Sequence, residues 1–187
     1  MDAILASLRK SDRAAFRTRE YAGLLGKRSY ARLVLHRLKK KGEIMRVRNG
    51  WWAFSDSIPE AIACEISAPA YVSFHSALFL HGLTTQTPRN VQLAVTRNAR
   101  KYRISGIEVR EYKIGKMQFG DFYRKDSVLL ANPEKAFADC LELPRSCPDI
   151  ILQEAAGSVN LGKVKTFLVS KAALKRLQKV MAYVKQK

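Results

Sequence analysis

Carboxylate side chains are scarce in this chain of 187 residues: 16 Asp and Glu stand against 34 Lys and Arg, and none lies beyond residue 156. An acidic ligand or polyanion is therefore a better electrostatic match than a cationic one. Cysteine is scarce as well. Cys64, Cys140 and Cys147 are irregularly spaced and no Cys-x-x-Cys pair occurs, which excludes a disulfide framework and a zinc ribbon. No apolar run approaches the roughly 18 residues needed to span a bilayer. The start MDAILASLRKSD lacks the basic head, apolar stretch and small-residue cleavage site of a signal peptide. A cytoplasmic protein with no membrane partner is expected. Gly-x-x-x-x-Gly-Lys-Ser/Thr is absent, so a phosphate loop of the NTPase type is excluded. Asp149 and Glu154 are the nearest carboxylate pairing in the tail half, yet no Glu-x-Lys follows to complete a metal nuclease. Neither cofactor nor metal is expected, and no enzyme activity. Apolar residues make up 47% of the chain, enough for a packed core.

The positive charge that is present is unevenly placed. The net charge is +9 over residues 1–56, +1 over 57–156 and +8 over 157–187. Two basic ends flank a nearly neutral middle, which argues for an anionic partner at the ends and another task between them.

The N-terminal pattern gives that charge a shape. A helix is expected around residues 2–10, and a second at 19–25, with Thr18 as N-cap and Gly26 as stop. A third covers 29–41, ended by Gly42, with Tyr30, Ala31, Val34, Leu35 and Leu38 as its apolar stripe. Residues placed 100° apart put Arg28, Ser29, Arg32, His36 and Lys39 on the opposite, polar face. Asn49-Gly50 then signals a two-residue hairpin whose central residues both need φ > 0. Met45 and Val47 are expected on its packed face, and Ile44, Arg46 and Arg48 on its outer face, with Trp51, Trp52 and Phe54 as packing residues. Helix, turn, helix and hairpin is the order of a winged helix-turn-helix, whose second helix enters the DNA major groove. Arg28, Ser29 and Arg32 could reach base edges, Lys27 is a further DNA-binding candidate in the turn before them, His36 and Lys39 are as suited to phosphate contact or solvation as to base reading, and the wing residues Arg46, Arg48 and Asn49 suit phosphates or a minor groove. His36 has no second ligand nearby for a metal.

Asp56-Ser57-Ile58-Pro59 marks a domain boundary, dividing 1–56 from 57–187. Helices are expected at 59–66, 73–81 and from Pro133 onward, capped by Asn132, with strands at 91–95 and 107–114. The runs 116–119 and 127–130 are either strands or loop edges. The fold class expected is α+β, the second unit being a small mixed α/β domain with its sheet covered mainly on one side. Two helices close the chain. In 170–187, Leu174, Leu177, Met181 and Val184 line one face of a basic amphipathic helix that either docks with its lysines in water, touches DNA or meets a protein partner. Ser73, His75, Ser76 and His81 lack the oriented nucleophile and base of a hydrolase. His81 suits a helix-end role, Glu134 the positive N-terminal end of a helix, and Lys135 with Asp139 an i,i+4 surface pair.

The segments YVSFHSALFLHGLTTQTPRNVQLAV and ANPEKAFADCLELP resemble the AbiEi antitoxins, predicted transcriptional regulators of viral defence systems. The matching positions are Tyr71, Ser73, Ser76, Ala77, Leu78, His81, Gly82 and Leu83, then Pro133, Glu134, Lys135 and Asp139. The resemblance, over about 14–143, implies a winged helix followed by an antitoxin domain. It further implies a repressor that binds inverted repeats in its own promoter, as an oligomer on DNA. Such a repressor antagonises a co-encoded nucleotidyltransferase-like toxin, usually without a stable complex. The alternatives are a non-enzymatic RNA- or protein-binding module, and behind these a nuclease.

Overall fold

In the computed structural model, which describes residues 3–185, an α+β chain forms two sheets. The first unit begins with α1 (Ala3–Lys10), β1 (Ala15–Arg17), α2 (Thr18–Leu25) and α3 (Arg28–Lys40). It continues with the hairpin β2 (Ile44–Arg48) and β3 (Trp51–Phe54). β1 pairs antiparallel with β3, giving the order β1-β3-β2.

Both faces of this small sheet are packed, against the expectation of one solvated face. Phe16, Ile44, Trp52 and Phe54 close over Leu5, Leu8, Tyr21, Ala31, Leu35 and Leu38 of the helices. Ala15, Trp51 and Ala53 point the other way and join the core of the second unit. The boundary expected at 56–59 is thus a connector between two units that share a packed seam. A bulge between Arg46 and Arg48 matters here, because it pairs Arg46 with Trp52 but Arg48 with Trp51. An extra residue in one strand reverses the faces of those that follow. Arg46 is exposed while Arg48 turns toward the second unit, so the two do not share a face as period-two counting expects. Within the turn, Gly50 has φ +75° and Asn49 does not take a positive φ, so the pair is not the mirror-image turn expected of Asn-Gly.

The second unit holds α4 (Pro59–Ser67), β4 (Ala70–Val72), α5 (Phe74–Leu80), β5 (Val91–Val95), β6 (Lys101–Ile104) and β7 (Ile107–Lys113). It ends with β8 (Phe122–Lys125), β9 (Val128–Ala131), α6 (Pro133–Glu142), α7 (Asp149–Ala155), α8 (Leu161–Phe167) and α9 (Lys171–Lys185). Residues 116–118 form a 3-10 turn where a strand or loop edge was expected. Six strands lie in the order β6-β7-β5-β4-β9-β8, with β5–β7 and β4–β9 parallel. Every residue of β4 and β5 is buried, so the centre of the sheet is covered on both faces, not mainly on one. Register explains the layering. Ala70, Val72, Leu93 and Glu111 share the face toward α4, where Ser67 reaches Glu111 at 2.7 Å. Tyr71, Gln92 and Tyr112 share the face toward α5 and α6. On α9 the buried side is Ala173, Leu177 and Val180, while Leu174 and Val184 are exposed. That helix is rotated from the expected Leu174, Leu177, Met181 and Val184 stripe because α6 and α7 seat its small and branched residues. Arg176 fixes it, donating to Asp149 Oδ1 at 2.6 Å, to the Cys147 carbonyl at 2.6 Å and to the Cys140 carbonyl.

Candidate nucleic-acid interface

The exposed side of α3 is where sequence and structure meet most closely. Ala31, Leu35 and Leu38 are buried against the first core, and Arg28, Ser29, Arg32, His36 and Lys39 are all exposed. Tyr30, assigned above to the apolar stripe, is 45% exposed and lies on the outer side. Leu24 and Leu33 are exposed as well. Gly26, with φ +71°, ends α2 in the left-handed conformation that glycine adopts without steric cost, and lets α3 begin two residues later. Lys27 is the N-cap of α3 but makes no side-chain cap hydrogen bond. The first turn of α3 consequently offers unsatisfied N–H groups and the positive end of the helix dipole beside Arg28 and Ser29.

The hairpin turn is tied to the start of α2. Thr18 N–H donates to the Gly50 carbonyl at 2.9 Å, and Trp52 Nε1–H donates to Thr18 Oγ1 at 2.9 Å. Thr18 therefore serves the hairpin and is not the N-cap. Arg17 is the N-cap, and the carboxylate of Glu20 accepts its backbone N–H at 2.5 Å. These bonds close a cleft of about 240 Å3 lined by Arg17, Arg19, Arg28, Arg32, Asn49 and Gly50. Four arginines line it, two of them expected and two, Arg17 and Arg19, missed. Their signal was present in the sequence: both flank the first residue of α2, which in a paired-helix arrangement faces the same partner as the start of α3. Arg17 is further held over the Trp51 ring, 4.6 Å from its centroid.

The remaining candidates divide. Arg46 is exposed, 3.2 Å from Asn49 Oδ1, and His36 packs edge-on against Trp52 at 5.9 Å between centroids. Arg48 does not reach the cleft. Its guanidinium lies 3.5 Å from the Ile66 carbonyl, between the rings of Trp51 and Tyr102, and burial with the neighbouring Arg100 lowers its pKa. It bridges the two units.

The second-unit motif residues form a buried polar cluster. Ser73 Oγ–H donates to Asp139 Oδ2 at 2.7 Å, Tyr71 O–H lies 3.4 Å from the same oxygen, and Lys135 pairs with Oδ1. Lys135 and Asp139 are each 3% exposed in their side chains, so the pair is internal and not the surface pair expected from i,i+4 spacing. Burial raises the Asp139 pKa against the pull of Lys135. Ser76 Oγ bonds the Asn90 carbonyl at 3.0 Å, His81 Nε2 lies 2.8 Å from the Ala131 carbonyl, and Glu134 accepts the Asn160 N–H at 3.3 Å. Each of these groups ties an element to its neighbour. Asp149 and Glu154 are apart in role, one on Arg176 and the other on Thr84 and Thr85. Among the described residues no group of His, Cys, Asp and Glu could hold a metal ion, and no helix is long and apolar enough to cross a membrane.

No protein family and no curated protein matches the chain. Among solved structures it is similar to the Rv2827c protein of Mycobacterium tuberculosis, with a TM-score of 0.60 and 13% identity over 96% of this chain and 75% of that one. At that identity the likeness is one of fold.

Proposed function

We propose that the first unit is a winged helix-turn-helix and that the protein is a sequence-specific, DNA-binding transcriptional regulator. The observation that carries this reading is the cleft that Arg17, Arg19, Arg28 and Arg32 line together with the turn of the hairpin. α3 is the recognition helix. Arg28, Ser29 and Arg32 read base edges, an arginine fork to guanine being the commonest specific contact. Arg17, Arg19, Arg46 and Asn49 hold phosphates, which fixes orientation and adds affinity without sequence information. Arg48 is withdrawn from the wing contacts because its guanidinium is used between the units.

The resemblance of Tyr71–Val95 and Ala131–Pro144 to AbiEi antitoxins supports a narrower reading, an autorepressing antitoxin that opposes a co-encoded nucleotidyltransferase-like toxin. In this reading Asp139, Lys135, Ser73 and Tyr71 are the internal frame of the antitoxin domain and not catalytic residues. Binding of two copies to inverted half-sites about 34 Å apart would follow from the helical repeat of DNA.

The test is a mobility-shift titration against the chain's own upstream promoter and a scrambled duplex at two salt concentrations. Salt-sensitive binding with clear preference for the promoter is expected. Equal affinity for both duplexes would reduce α3 to an electrostatic anchor and overturn the regulator. Single-stranded RNA competing as well as duplex DNA at matched salt would favour RNA as the target.

A further inference from the structure

A second concave site lies away from the cleft at α3. It is a cleft of about 800 Å3 between the outer strands β6 and β7, the C-terminal half of α5 and the 87–90 segment. Its floor is basic. Register sets Lys101 directly opposite Arg110 and Arg103 opposite Glu108, and Arg89 enters from the facing segment. Like charges on opposed positions of a sheet are destabilising, and here the Glu108 carboxylate between Lys101 and Arg110 offsets that repulsion. Two carboxylates line the same cleft, Glu60 and Glu108. Glu108 is already shared between Lys101 at 2.8 Å and Arg110 at 3.4 Å. Arg89 and Arg103 make no ion pair among the described residues and are exposed to the cleft.

A flat basic patch would fit a duplex backbone, but this site is concave and one wall is apolar, formed by Phe79 and Pro88. A cleft of this volume suits a small molecule, its lining is more polar than apolar and so favours a charged ligand, and arginine forks match phosphate oxygens in geometry as well as charge. Asn90 adds a polar group of a different kind. Its Oδ1 is buried without a hydrogen-bond partner among the described residues, and the residue lines the cleft. The direction of the site also separates it from α3. Tyr102, between Lys101 and Arg103 on β6, faces the hairpin, 5.9 Å from Arg48, so the neighbouring cations point to the opposite side of the sheet.

We propose that this cleft binds a small phosphorylated ligand of the nucleotide class. Arg89 and Arg103 hold the phosphates, Phe79 and Pro88 pack against the base, and Asn90 accepts an N–H or O–H of the ligand. The site does not depend on the DNA-binding reading; where both hold, the ligand is an effector of the regulator.

Isothermal titration of the full chain with the four ribonucleoside triphosphates, the matching nucleosides and inorganic pyrophosphate tests it. Saturable binding of at least one triphosphate is expected, with its nucleoside and pyrophosphate each weaker by about tenfold or more. The double variant Arg89→Gln/Arg103→Gln, at two exposed positions, is expected to lose about tenfold in triphosphate affinity with an unchanged melting temperature. Asn90→Ala is expected to weaken the triphosphate and leave pyrophosphate unchanged. Absence of saturable binding by every phosphate probe would overturn the proposal. So would a double variant that binds triphosphate as the parent does, or one that loses affinity only for duplex DNA. Loss of triphosphate binding in Arg28→Ala/Arg32→Ala instead would place the ligand at the DNA-binding cleft and would equally overturn it.

Discussion

The outer face of α3 and the interior of the second unit treat charge in opposite ways. On α3, five polar or basic side chains stand exposed, and none of Arg28, Arg32 and Lys39 has an ion-pair partner among the described residues. Inside the second unit, two carboxylates, Glu111 and Asp139, are buried and paired. Glu111 has a fully buried side chain that accepts from Arg97 at 2.6 and 2.8 Å, from Arg100 at 3.0 and 3.2 Å, from Ser67 at 2.7 Å and from the Arg100 backbone at 2.9 Å. Burial opposes its charge, yet these donors hold its pKa down to about 2. Exposed, unpaired cations cost the fold little and remain available to a partner, whereas buried, paired ones are committed to architecture. The same chemistry therefore serves assembly inside the second unit and stays uncommitted on the outer face of α3.

The largest expected effects fall on the buried pairs. Lys135→Met leaves the Asp139 carboxylate internal and uncompensated, and urea unfolding is expected to show a loss of about 3–5 kcal/mol. The double variant Lys135→Met/Asp139→Leu removes both charges and is expected to recover most of that loss. A single variant as stable as the parent would break the contrast with α3.

Next in size is an acid dependence set by Glu111. Its folded pKa is depressed, from an ordinary 4.5 to about 2, so its contribution is fully present above about pH 4.5 and is lost as pH falls toward 2. The linkage corresponds to about 3 kcal/mol, and Glu111→Gln is expected to flatten that part of the stability curve. Chemical denaturation at a series of pH values reads it directly. A parent curve that does not fall between pH 4.5 and 2 would remove Glu111 as an ionised anchor.

Much of this contrast could be read in the sequence, and the parts that could not have identifiable reasons. Ala31, Leu35 and Leu38 recur at helical spacing, so the inner and outer faces of α3 followed from periodicity alone. Tyr30 sits at the edge of that stripe, where a 100° step does not decide between burial and solvent. Arg48 was misplaced because a bulge cannot be seen in residue types, and one extra residue reverses a strand's faces. β1, β4, β6 and β8 were missed; each is only three or four residues long, β1 and β4 take their pairing from strands distant in sequence, and β6 and β8 are the short arms of hairpins with β7 and β9. The depth of Lys135 and Asp139 was hidden for a related reason. An i,i+4 pair looks the same on paper whether the helix lies on the surface or, as α6 does, under Tyr71 and Ser73.

Smaller effects belong to the exposed face and sharpen the comparison from its other side. Arg32→Ala is expected to change stability by no more than about 0.5 kcal/mol. In anisotropy titrations it is expected to cost about 1–3 kcal/mol of duplex affinity and to relax preference at one base position. Arg46→Ala is expected to weaken all duplexes alike and to make the slope of log affinity against log salt shallower by about 0.9. Arg48→Ala is expected to leave that slope unchanged, since its guanidinium lies between Trp51 and Tyr102. A salt slope altered as much by Arg48→Ala as by Arg46→Ala would place Arg48 on the wing after all.

The most direct measurement of the central claim is amide chemical-shift mapping of the full chain during titration with a promoter duplex. The account predicts the strongest perturbations at 17–19, along 28–32 and at 49–50, with the Ser73, Lys135 and Asp139 amides unmoved. Perturbations concentrated on α8 and α9, or spread evenly over the basic surface, would contradict α3 as the recognition element.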